Sequence, residues 1–115
     1  KQARVTTPEV DHDLDVTPGL TRDMIRRVVR QHRRELKYCY EQQLQSNPNL
    51  AGRLKVDFTI APSGDVIAAL IAESTLGNAA VESCVAGKIR HWTFPGTENG
   101  RVVKVSYPFN FSSGS

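Results

Sequence analysis

The chain has one tryptophan, one methionine and two cysteines in 115 residues, and each scarcity removes a class of reading. The cysteines, Cys39 and Cys84, lie far apart and in no CxxC pair, so neither a zinc knuckle nor a thiol redox motif is signalled. No run of about 18 apolar residues is present, so no membrane-spanning helix is expected in this segment. The opening stretch "KQARVTTPEVDHDLDVTPGL" lacks the apolar core of a signal peptide. It begins on Lys1, which leaves room for a longer protein with its targeting information upstream.

Catalytic motifs are missing too. There is no nucleophile elbow, P-loop or HExxH, and no paired carboxylates on a recognisable scaffold. His12, His32 and His91 have no signalled acid or nucleophile partner. His32 and Cys39 are seven residues apart on one expected helix, as are Cys84 and His91 on another. That separation is about 10 Å along a helix, too far for two ligands to reach one zinc ion at about 2.0–2.3 Å. The expectation is a non-enzyme with no metal and no cofactor. No GxxG loop of a KH module and no aromatic motif of an RRM occurs, so nucleic acid is not the expected partner, and a basic-helix nucleic-acid-binding module is kept as the alternative reading.

What remains is an ordinary globular composition, 39% hydrophobic and 23% charged, with a formal net charge of +3. At this length one domain with a modest core is expected. Residues 1–19 show no sustained period and read as a flexible linker, although "ARVTTPEV" could add a strand. Thr21 is the expected N-cap of a helix, with Asp23 in its first turn. The helix then runs to about Ser46, its apolar stripe being Ile25, Val28, Val29, His32, Leu36, Cys39, Tyr40 and Leu44. Asn47 stops it, because the residue before Pro48 is pushed out of the α region.

"RLKVDFTIA" alternates, with Leu54, Val56, Phe58 and Ile60 on one face, which is a half-buried strand. "PSGD" at 62–65 is a tight turn, and "VIAALIAES" reads as the second arm of a hairpin with its register open. Asn78 caps a second helix with the stripe Val81, Cys84, Val85, Ile89 and Trp92. Gly87 inside that helix costs about 1 kcal/mol relative to Ala unless close packing calls for it. The final strand has Val103, Val105, Tyr107, Phe109 and Phe111 on one face, and residues 112–115 read as a disordered tail. Pro108 lacks an N–H, so a free edge is expected beside it. The assembly predicted is an α+β two-layer sandwich in α-β-β-α-β order, with a three-stranded antiparallel sheet and two helices on one face. Trp92, Phe94, Phe58 and Tyr107 are its expected large core residues.

Two polar or reactive features stand out. Arg26, Arg30, Arg33, Arg34 and Lys37, with Arg27 beside them, line the face opposite the apolar stripe. They read either as a solvated helix face, partly balanced by Glu35 and Glu41, or as a contact surface for phosphate, lipid head groups or an acidic polymer. Cys39 and Cys84 fall on the core-facing stripes of helices expected to pack together. They are either two buried thiols or a disulfide, and the compartment decides between these.

The hairpin "VDFTIAPSGDV", the helix entry "STLGNAAVES", the helix exit "IRHWTFP" and the last strand "VVKVSYPFNF" together resemble the TonB C-terminal domain family. "LKYCYEQQLQSNPNLAGRL" is similar to its AgmX/PglI C-terminal variant, found on myxobacterial gliding-motility proteins. The resemblance covers about residues 20–111. It implies a periplasmic module at the end of an inner-membrane-anchored protein, linking an inner-membrane motor to an outer-membrane or periplasmic protein. It also implies docking by strand addition along residues 102–110, with Val102, Val103, Lys104, Val105, Ser106 and Tyr107 as the edge. A periplasmic setting favours the Cys39–Cys84 bridge. The chain departs from the family pattern where Pro95 directly follows Phe94 and where Pro108 interrupts the docking strand. Docking through a helix face therefore competes, and weak self-association through the same edge is a third reading.

Overall fold

The computed structural model describes residues 2–6 and 14–114, so His12 lies outside the described residues. It is an α+β fold with one antiparallel sheet and three helices. The elements in chain order are β1 (Gln2–Thr6), β2 (Asp15–Val16), α1 (Arg22–Gln31), α2 (Arg33–Leu44), β3 (Gly52–Ile60), β4 (Val66–Ser74), α3 (Ala79–Arg90) and β5 (Val103–Gly114), with a short 3-10 turn at Glu98–Gly100 before β5. The sheet order is β1-β5-β3-β4, with β2 also paired to β5.

The sheet therefore has five strands where three were expected, and the order opens β-β before the first helix. The two added strands come from the stretch read as a linker. Apolar residues of that stretch reach the core all the same: Ala3 and Val5 of β1 and Leu14 just before β2 are buried. At the other end β5 runs to Gly114, where Ser112, Ser113 and Gly114 pair with Arg4, Ala3 and Gln2, so the strand extends into what was read as a tail.

Local signals account for the helix starts. Thr21 accepts a bond from the Met24 amide at 3.2 Å and Asn78 from the Val81 amide at 3.0 Å, each satisfying an amide that the helix leaves orphaned. The first helix is broken where one long helix was expected. His32 sits between α1 and α2 at φ −108°, ψ 10°, outside the helical well. The break lets the imidazole stack on the Trp92 indole, with ring centroids 4.8 Å apart. Ile25, Val28, Val29, Leu36, Cys39 and Tyr40 remain buried on either side of it.

In the sheet, Leu54, Val56, Phe58 and Ile60 of β3 and Val103, Val105, Tyr107, Phe109 and Phe111 of β5 are all buried. Each such side chain contributes about 1.5–3 kcal/mol by leaving water. β4 pairs with β3 through two register shifts, between Lys55 and Val56 and between Thr59 and Ile60. These leave Ile67 and Ala72 as extra residues that bracket the regular stretch 68–71.

The 62–65 turn holds the crossing to β5 in place. Phe94 donates its amide to Gly64 O at 2.8 Å, and Thr97 donates to Pro62 O at 3.0 Å. Gly64 has φ +99°, and a Cβ there would lie 2.0 Å from Phe94 O, so only glycine fits.

Candidate functional site: sheet edges and the basic helical face

Whether a strand can accept a partner depends on which way its backbone groups point. Thr17 donates its amide to Lys104 O at 3.0 Å, and the Lys104 amide donates to Thr17 Oγ1 at 2.8 Å. The polar backbone of Lys104 thus faces away from β3. Because an antiparallel ladder alternates, Ser106 and Pro108 face the same way, while Val103, Val105 and Tyr107 exchange bonds with Ile60, Phe58 and Val56.

The outward side of β5 is occupied in this structure. Asp15 and Val16 pair with Ser106 and Val105, and β1 pairs with residues 110–114. The expected docking edge, Val102 to Tyr107, is therefore an interior strand flanked by β3 and by the chain's own N-terminal residues. Val103, Val105 and Tyr107 are buried side chains, Lys104 is exposed, and Val102 precedes the strand with 49% exposure. Ser106 is half-buried and donates to Asp57 Oδ1 at 2.6 Å. Pro108 falls between the ends of β1 and β2, at a position whose amide would face outward. Its missing N–H costs no ladder bond there.

Alternation carried one strand further identifies the outward groups of β4. Asp57 and Thr59 of β3 turn their polar backbone toward β4, as Arg53 does in accepting the Thr75 amide at 2.9 Å. Their partners Leu70 and Ala68 point back at β3. The N–H and C=O groups of Ala69 and Ile71 then point out of the sheet, where among the described residues no strand follows β4. Ile67 and Leu70 beside them are 53% and 57% exposed.

The basic residues do not form one row. Arg26 and Arg30 lie on α1, and Arg33, Arg34 and Lys37 on α2, with the His32 break between them. Arg26 is half-buried and 3.3 Å from Asp23 Oδ1; Arg27, Arg30, Arg33 and Arg34 are exposed.

Cys39 and Cys84 are joined as a disulfide, with Cα atoms 5.6 Å apart, tying α2 to α3. Trp92, Phe94 and Phe58 are buried with Tyr107, and the Phe58 and Phe94 rings stack at 5.7 Å. Among the described residues no group of three His, Cys, Asp or Glu side chains converges as a metal set would. No helix among the described residues is long and apolar enough to cross a membrane.

Sequence reasoning passed over one polar cluster. Glu35 accepts the Trp92 indole N–H at 3.0 Å through Oε1 and lies 2.6 Å from His32 Nδ1 through Oε2. Burial pushes the Glu35 carboxyl up, but the bonds from His32 and Trp92, with the charges of His32 and Lys88, outweigh it and hold the group below its ordinary value. The local signal was the His-x-x-Glu spacing. Tyr40, fully buried and donating to Leu50 O, has its phenol pushed up by burial, with a bond to Ser113 opposing.

Comparison with protein-family models, curated proteins and solved structures finds no match for this chain.

Proposed function

We propose that this chain is a non-enzymatic protein-interaction domain of a bacterial envelope complex, taking an extended partner segment as a strand along the outer side of β5. The observation that carries this reading is how that side is completed. Two short stretches hold it, five residues of β1 and two of β2, both drawn from outside the α-β-β-α-β unit. The edge accepts an added strand from the chain itself, and the two-residue β2 is the part a longer segment displaces. Backbone hydrogen bonds supply affinity in such an arrangement, and alternate side chains supply selectivity.

The Cys39–Cys84 bridge supports a periplasmic setting, since disulfides persist in oxidising compartments. The resemblance to the TonB C-terminal family supports a partner in the periplasm or outer membrane, with the upstream chain leading to an inner-membrane motor that the domain couples to its load.

The test is an NMR titration of a chain lacking residues 1–17 with a peptide of residues 1–17. Amide shifts along residues 104–114 are expected; shifts confined to Arg27, Arg30, Arg33 and Arg34 move the site to the helical face. The exposure of those four arginines favours a second reading, contact with an anionic polymer. That reading requires affinity for polyanions that falls steeply with salt.

A further inference from the structure

We infer that the outer edge of β4 is a self-association surface, at which a second copy of this chain pairs β4 against β4 in antiparallel fashion and continues the sheet across a two-fold axis. The inference is independent of what docks on β5. It starts from the backbone: the N–H and C=O groups of Ala69 and Ile71 point outward on a strand that no other strand follows among the described residues, a ready template for another strand.

The register follows from which residues can exchange bonds. Only outward-facing residues form hydrogen-bonded pairs, and the extra residues Ile67 and Ala72 bound the regular stretch on both sides. The two-fold pairing that uses both Ala69 and Ile71 sets Ala69 opposite the partner's Ile71, and Ile71 opposite the partner's Ala69. Leu70 then meets the partner's Leu70 on the helix-free face, in the close pair whose Cα atoms stand about 4.5 Å apart. This covers the most exposed large apolar side chain of the strand. Glu73, 3.5 Å from Lys55 within its own chain, meets the partner's Ile67 and not a like charge.

Charge complementarity in the helical layer favours a second copy as the occupant. One flank of α3 faces α2, through the disulfide at Cys84 and through Lys88 above the Tyr38 ring. The opposite flank overhangs β4, because Glu82 accepts the Ser74 hydroxyl at 2.8 Å. Ala86 and Arg90 follow Glu82 on that flank at four-residue steps. α3 runs back along β4: Glu82 lies by Ser74 at the strand's end, and Thr93 just past α3 bridges to Asp65 at its start. Antiparallel pairing about Leu70 sets the end of one β4 beside the start of the other. It therefore brings Glu82 toward the partner's Arg90, and Arg90 toward the partner's Glu82, with small Ala86 between them. Complementary charges placed this way select orientation as well as partner.

The test is sedimentation equilibrium on the full chain at rising concentration. The mass is expected to climb from 12.8 kDa toward twice that value. Leu70→Lys, at an exposed position, should weaken the dimer by about tenfold or more while leaving the circular dichroism spectrum unchanged and, at concentrations where both proteins are monomeric, the melting too. Glu82→Lys and Arg90→Glu should each weaken it, and the two combined should restore it. A monomer mass up to about 1 mM, or a dimer indifferent to Leu70→Lys and to each single charge reversal, overturns the proposal.

Discussion

The Trp92 indole donates its N–H to Glu35, 57 residues earlier in the chain, at 3.0 Å. The ring that makes this bond also stacks on His32 at the break between α1 and α2. One side chain just past the end of α3 therefore touches both α2 and the break between α1 and α2. Trp92→Ala should cost about 3–5 kcal/mol, as large aromatic truncations in cores do, measured by urea unfolding. Trp92→Phe should recover part of that loss, because a six-membered ring remains in place while the bond to Glu35 and the rest of the indole's packing go.

The Glu35 carboxyl gives the stability a pH dependence. Its folded value lies below the ordinary one, so the unfolded chain binds the proton more readily than the folded one. The contribution is present above the ordinary Glu value of about 4.3 and is lost as pH falls through the lower folded value. Unfolding midpoints measured from neutral pH downward should drop in that acid window. Glu35→Gln should make that part of the profile flatter.

Reduction of the Cys39–Cys84 bridge reopens a loop with a sequence separation of 45 residues. In the chain-entropy account the closed loop contributes about 4 kcal/mol. The wild type in reductant, and the Cys39→Ala/Cys84→Ala double variant without it, should both unfold at correspondingly lower denaturant. Intact mass should rise by two hydrogens on reduction of the wild type; an unchanged mass means free thiols.

Two glycines should respond in opposite directions. At Gly64 a methyl group meets Phe94 O and the backbone has positive φ, so Gly64→Ala should destabilise by more than about 1 kcal/mol. At Gly87 an added Cβ meets nothing within 4 Å. With no packing reason for glycine there, Gly87→Ala should stabilise α3 by about 0.5–1 kcal/mol. Thermal unfolding of the pair reads both signs.

Several parts of this fold were legible in short windows of sequence. Thr21 and Asn78 cap helices because their side chains reach amides three residues on. The β3–β4 hairpin follows from strict alternation up to Ile60 and from a turn that needs Gly64. The break at His32 was not legible, since the apolar stripe from Ile25 to Leu44 runs through it without a fault. At that break His32 stacks on an indole from another element.

The edge of the sheet shows the same division. Residues 102–107 carry the pattern of a half-buried strand, and that pattern is a property of the segment alone. Whether such a strand lies at an edge or inside depends on what pairs with its other side. Here that role falls to Asp15, Val16 and Thr17, a stretch too short to show a period of its own. The sequence by itself determined the helix caps, the β3–β4 hairpin and the apolar faces of the longer elements, because caps, alternation and turn chemistry act over a few residues. The tertiary structure decided which edges stay open, where the first helix breaks and which groups gather around Trp92. Those depend on segments brought together from far along the chain, and no local window contains them.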